Sequence, residues 1–474
     1  MAGVANTLTL DSASELSDVS GVATSSECMG LPHLLMLAVG ITGFQFAWST
    51  QIALSSRVLE PLGADPFLFG LIWCAGPITG IFVQPLVGLM SDHTKSPLGK
   101  RWPYILAGAI LGSLAMWGFP YAPNLLVATL LIWIIDACVN TAQGPYRALV
   151  PDLVPRAQQA IANSYMNFGI GAGNVVAMGF APLVLALLDT AISIPQQYLI
   201  SAIVMGGITF LTAAFIREKS PQMPSVSSTP SAADNHQESA AKPSVIVMLK
   251  SFAAASPEIH KISAVQFCTW LALMGMFIYL TPYITHHVFR VPDMTDLSHF
   301  TNAQIAGFKA LQTQATNTAQ SAFAVFNLVC LVLSLPLGYL TIKLGKKNVL
   351  SVALLIMALG FLTAPFLTSA PQVVGMLACA GVAWATILSI PFAILCDHMP
   401  KGQEGSIMGM FNVFVCLPQL IAAIAVGWWI NQWRVPLPVG FTHAWWLPFV
   451  VGAVSLLVGV VVLQQIQEVK PARG

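Results

Sequence analysis

The chain has 474 residues, 56% of them hydrophobic and only 8% charged, with a formal net charge of +1. Soluble domains are about a quarter charged, so this composition excludes an ordinary soluble enzyme. No basic patch is interleaved with aromatics, which argues against a nucleic-acid partner. The eight cysteines show no CxxC spacing and no companion His cluster. They read as small core residues, and no metal site is expected.

Residues 1–28 hold four acids, many Ser and Thr, and no Lys or Arg. They read as a disordered cytoplasmic tail rather than a signal peptide. Runs of about 20 apolar residues cross a bilayer. Twelve such runs are expected, at 31–55, 66–90, 102–121, 124–148, 158–188, 195–216, 260–289, 315–342, 347–368, 372–396, 404–432 and 441–466. The fold class is therefore an all-α membrane protein with twelve transmembrane helices in two six-helix halves. The halves are placed at 29–216 and 259–467. A Ser/Pro/Ala-rich stretch, 217–258, reads as a flexible cytoplasmic linker between them. The polar stretch 290–314 reads as a long loop on the opposite side. His286 and His287, at an outer helix end, read as surface residues.

Under this topology sixteen of the twenty Lys and Arg fall on the side of the termini and linker. The positive-inside rule puts that side in the cytoplasm, with both termini; a multi-pass protein of a cell (inner) membrane is expected. Trp428, Trp429, Trp433, Trp445 and Trp446 gather around the last outer loop and read as interfacial aromatics.

An internal repeat supports the two halves. Asp152-Leu-Val-Pro155-Arg156-Ala-Gln158, ending at Asn167, matches Asp397-His-Met-Pro400-Lys401-Gly-Gln403, ending at Asn412, at an offset of 245. The copies join spans four and five, and spans ten and eleven. Paired halves of this kind are the architecture of parallel-repeat transporters.

In span four, Asp136, Asn140, Gln143 and Arg147 fall at i, i+4, i+7 and i+11, on one narrow helical stripe. An ionised acid at mid-membrane costs roughly 2.5–3.5 kcal/mol on insertion scales, so Asp136 must face a cavity or carry a proton. That makes it the proton-coupling candidate. Eleven residues rise about 16 Å, which keeps Arg147 from pairing with Asp136 in a straight helix and places it at a gate. A hydroxyl-rich cargo would need amides for its hydroxyls and an aromatic face for its ring. Gln45, Trp48 and Gln51 in span one and Asn140 and Gln143 in span four supply both, with Asn167 and Asn412 as repeat mates. Trp270, Tyr279 and Asn327 are weaker candidates in the second half. The loop Gly88-Leu-Met-Ser-Asp92 through Gly99-Lys100-Arg101 combines turn glycines, a carboxylate and paired bases. With Asp152 and Asp397 it is expected to gate, as a latch holding the outward-facing state. The counterpart ending at Gly345-Lys346-Lys347 keeps the glycine and bases but lacks the Asp.

That loop resembles the major facilitator signature. Gly43-Phe-Gln45-Phe-Ala-Trp48-Ser-Thr-Gln51, Trp73-Cys-Ala-Gly-Pro77-Ile-Thr-Gly80 with Gln84-Pro85-Leu-Val-Gly88, and Asn140-Thr-Ala-Gln143-Gly-Pro-Tyr-Arg147 resemble the sucrose/H⁺ symporter branch of that superfamily. The resemblance is densest over 40–175. Plant members carry an acidic pair in span seven that is missing here, where Thr281-Pro282-Tyr283 stands. The resemblance implies that Asp136 is the proton site and touches the sugar. The expected function is proton-coupled uptake of a disaccharide such as sucrose or maltose, by a monomer, with no cofactor beyond the proton gradient. A sodium-coupled glycoside symporter and a proton-driven exporter of small molecules are the alternatives. A non-transporting sensor or scaffold would have no use for Asp136. The sequence has no nucleophile–base set or P-loop to suggest an enzyme.

Overall fold

The structure is a computed structural model that describes residues 29–92, 94–155, 159–218, 250, 252–293, 300–400, 404–438 and 440–468. The 1–28 tail, most of the 217–258 linker, and Arg156, Gln158, Lys401 and Gln403 lie outside them. Twelve helices are long and apolar enough to cross a membrane. They are Leu31–Leu62, Pro66–Gly88, Trp102–Tyr121, Leu125–Val150, Phe168–Leu188 and Ile194–Phe215 in the first half. In the second half they are Pro257–Val288, Asn302–Ser334, Lys346–Phe366, Ala370–His398, Met410–Gln432 and Leu447–Gln464. Consecutive spans alternate in direction. One face therefore carries the termini and the linker, and is called the linker side; the other is called the far side.

Capping explains why several helices start where they do. The first exposed N–H groups of a helix need acceptors. At the far-side starts of spans two and four, Asp65 accepts from Leu68 N at 2.8 Å and Asn124 from Val127 N at 3.0 Å. Spans six and eight open with reciprocal Ser193/Gln196 and Thr301/Gln304 boxes. Span eight starts at Asn302, so the loop expected over 290–314 is shorter than the sequence suggested. The box formed by Thr301 and Gln304 turns its second part into helix.

The tryptophans divide. Trp428, Trp429 and Trp433 are exposed, as lipid-facing residues are, but Trp445 is buried at 4% exposure. A short antiparallel hairpin, β1 (Arg434–Pro436) with β2 (Phe441–His443), folds the last far-side loop back and tucks Trp445 beneath it. Trp445 is thus a packing residue, not an interfacial one.

The halves meet on the far side. The start of span two packs against the end of span eleven without side chains in between. A Cβ on Gly70 would stand 1.8 Å from Ala423 O, and one on Gly427 would stand 2.7 Å from Pro66 O. Small residues allow this backbone approach. A short π-helical turn, Ala422–Val426, interrupts span eleven there, and Tyr279 Oη donates to Ala423 O at 2.9 Å. The hydrogen bonds joining the halves between described residues run from mid-depth outward. Asn174 donates to Asn327 (3.2 Å), Thr281 to Ala53 O (3.0 Å) and Gln320 to Gln197. Asn431 donates to Asp65 (3.4 Å), and Glu60 meets His286 (3.2 Å). None between described residues crosses on the linker side. The conformation is closed on the far side.

Candidate functional site

Span four delivers its polar stripe to the interior of the first half. Asp136 is buried at 6% exposure. Gln51 on span one donates its amide to Asp136 Oδ1 at 3.1 Å. One turn on, Asn140 takes a bond from Gln84 (2.6 Å) and donates to Thr79 (2.8 Å), both on span two. Span four is therefore tied to span one at the acid and to span two at the amide. Gln143 is half-buried and Arg147 is exposed. Among the described residues Arg147 makes no ion pair with Asp136, in line with the rise between them.

The sugar-facing candidates are dispersed by this arrangement. Trp48 reaches the interface between the halves. Gln51 is 1% exposed and is engaged by Asp136, so its amide orients the acid. Gln45 is buried, with its Cβ close to Gly173. Asn412 is exposed, and the Asn167 side chain lies outside the described residues. Tyr279 uses its hydroxyl on the span-eleven backbone.

A second group, which the sequence did not single out as a set, assembles around Trp48. Trp48 meets Phe277 edge-on at 5.6 Å. Phe277 meets Trp384 at 5.9 Å, and Phe326 stacks on Trp384 at 6.0 Å. Ser49 donates to Asn174 at 2.9 Å, and Asn174 continues to Asn327 on the other half. These residues line a cleft between the halves, nearly shut, with a volume of about 10 Å³, room for about one water. Asn174 had a readable signal. It lies seven residues after Asn167, two turns along the same face of an apolar span. Trp384 and Phe277 had none, because an aromatic in an apolar span reads as core.

On the linker side the two halves carry the same ion-paired corner. Lys100 and Arg101 reach Asp152 at 3.0 and 2.9 Å. Arg101 also donates to Ser91, which caps Gly88 O at 2.8 Å. The Glu218 carboxylate accepts from Arg101 N at 3.0 Å. In the second half Lys346 reaches Asp397 at 2.7 Å and Glu468 accepts from Lys347 N. Gly99 and Gly345 both hold left-handed φ values, +97° and +86°, and a Cβ on either would strike the neighbouring glutamate. The side chain of Asp92 lies outside the described residues. Each corner binds helices within one half, so it is formed here although the halves are closed on the far side.

Partial burial opposes ionisation of Asp152, but hydrogen bonds and charges from Arg101 and Lys100 outweigh it and hold its carboxyl below the usual carboxylate range. A lowered carboxyl value stabilises the fold above its unfolded-state value, and the gain is lost as pH falls through the folded one. Asp152→Asn should cost about 1 kcal/mol at neutral pH, the scale of a partly exposed pair. The difference in thermal unfolding from the unsubstituted protein should shrink in acid; a gap that stays constant in acid contradicts the assignment.

The Major Facilitator Superfamily model matches residues 35–316 and 300–473. A general alpha-glucoside permease of Schizosaccharomyces pombe is 28% identical over 271 residues, 53% of this chain and 48% of the permease, so that match spans about half its length. A sucrose transport protein of Oryza sativa subsp. indica is 24% identical over 501 residues, 92% of this chain and 94% of the relative. The crystal structure of a mutant nucleoside transporter, NupG, shares the fold at a TM-score of 0.67 and 14% identity, over 92% of this chain and all of that one. With twelve spans in two ion-paired halves and a family match over nearly its whole length, the chain belongs to the Major Facilitator Superfamily.

Proposed function

We propose that this protein carries a sugar, a disaccharide such as sucrose or maltose, into the cell together with protons, by alternating access. The carrying observation is the buried Asp136–Gln51 pair at mid-depth, one turn along span one from the aromatic and amide cleft at Trp48. The aromatic faces of Trp48 and Trp384 suit the C–H surface of a pyranose. The amides of Asn174 and Asn327 suit its hydroxyls. The names of the relatives point to the same cargo. Asp136 binds and releases the proton, the gradient is the only energy source, no cofactor takes part, and a monomer suffices. Asn140 and Gln143 stand next along the route, and Arg147 guards its linker-side mouth. By the positive-inside rule the linker side is cytoplasmic, and we place the protein in the cell membrane. The far-side-closed form is then the inward-facing one. Because the cleft is nearly shut, the halves must part to admit a sugar.

Proteoliposomes with an inward proton gradient test this. Labelled sucrose or maltose should accumulate and should leave when the gradient is collapsed. Accumulation that needs sodium instead favours a sodium-coupled glycoside symporter. Proton-driven loss of the label favours an exporter.

A further inference from the structure

The far-side closure contains titratable groups that the transport scheme does not use. His286 was expected at the surface, yet it is 6% exposed. It stacks on Trp445 at 5.4 Å and 17°, which fixes the plane of the ring. Its Nδ1 lies 2.9 Å from Val291 O, and its Nε2 lies 3.2 Å from Glu60 Oε2 on the other half. A carbonyl oxygen only accepts, so Nδ1 must carry a hydrogen. In a neutral ring Nε2 is then a bare lone pair, facing a carboxylate that also only accepts. That contact is repulsive. It becomes a bond only when one more proton is present, either on Nε2 to give an imidazolium or on Glu60 to donate to Nε2.

We propose that Glu60 and His286 form a proton-binding site whose occupation closes the far side. The balance is simple: neutral His286, ionised Glu60 and one proton from far-side water give the bonded pair, and no other bond changes. The proton returns to the same side when the halves part. It is thus a sensor of far-side pH, separate from the proton assigned to Asp136. Other charged groups surround the pair, and Arg57 acts on Glu60 and Asp293 on His286 through space. Arg57 lies one turn earlier on span one, with its Nε unpaired among the described residues. His287 faces Pro365 O at 3.1 Å. Arg290 follows on span seven's exit, and Arg434 lies over the Phe441 ring. Asp293 is 3.8 Å from His443, and Asp65 is engaged by Asn431. The inference does not depend on the cargo being a sugar.

Hydrogen exchange of the full chain in lipid nanodiscs, corrected for intrinsic rates, tests it across a pH series. Protection of residues 57–70, 283–293 and 422–432 should fall as pH rises. The closed-to-open ratio should change about tenfold per pH unit through the titration, the slope for one linked proton. Linker-side residues 88–104 and 339–350 should not lose protection with them, as they would on unfolding. Glu60→Gln supplies an N–H donor to Nε2 without a proton, so its far side should stay closed at alkaline pH and lose the pH response. Asp136→Asn should keep the response. A flat profile in the unsubstituted protein overturns the proposal even where Glu60→Gln does not fold. So does a response that survives in Glu60→Gln, or one that disappears in Asp293→Asn instead.

Discussion

Asp136→Asn should abolish gradient-driven accumulation, reducing the internal-to-external sugar ratio to about one, while sugar exchange between equal pools continues. The reason is chemical. An asparagine keeps the size of the side chain and an oxygen for the Gln51 amide, so the packing of spans one and four survives. It cannot alternate between a charged and a neutral form. A buried carboxylate is costly at mid-membrane, and protonation removes that cost. The proton and the conformational change are coupled through that difference, which a permanently neutral amide erases. Exchange needs no net proton movement and should stay within about tenfold of the unsubstituted rate, since the lost hydrogen-bond strength is of order 1 kcal/mol. Accumulation that persists in this variant, with its dependence on the gradient intact, removes Asp136 from the proton role. Loss of exchange as well makes Asp136 a structural acid.

How far the sequence reveals such a site depends on contrast. Asp136 and Asn140 stand out because a polar group in an apolar span needs a reason, and their spacing puts them on one stripe. Their partners Thr79 and Gln84 lie in a stretch whose resemblance was noted, but a sequence cannot show which amide faces which. The aromatic cleft at Phe277, Phe326 and Trp384 had no contrast, because its residues look like any other core. His286 reads as a surface residue because two histidines stand beside a polar stretch, whereas Trp445, Val291 and Glu60 enclose the first of them. The repeat at Asp152 and Asp397 fared better. Charged corners recur in sequence order, so Lys100–Asp152 and Lys346–Asp397 were foreshadowed by the repeat itself. Glu218 and Glu468 were not, since each reaches its glycine from a distant helix end.

The far-side contact between backbones gives the second large effect. Gly70→Ala should slow uptake by about 10- to 100-fold, with sugar binding from the far side retained. The added methyl has no room: its carbon would lie 1.8 Å from Ala423 O, and that oxygen already accepts from Tyr279. The neighbour is backbone in a π-helical turn, which yields less than a side chain. Overpacking of this kind costs about 1–3 kcal/mol, and 1.4 kcal/mol is tenfold in an equilibrium. Span two and span eleven belong to different halves, so the penalty exists only when the far side is closed. It therefore shifts the conformational equilibrium toward the far-side-open form instead of weakening both forms equally. Thermal unfolding separates the two cases, because a general packing defect lowers stability and binding together. Gly375→Ala is the control, with nothing within 4 Å of the new carbon, and should leave uptake unchanged. If Gly70→Ala transports at the normal rate, the far-side closure seen here is not a step of the cycle.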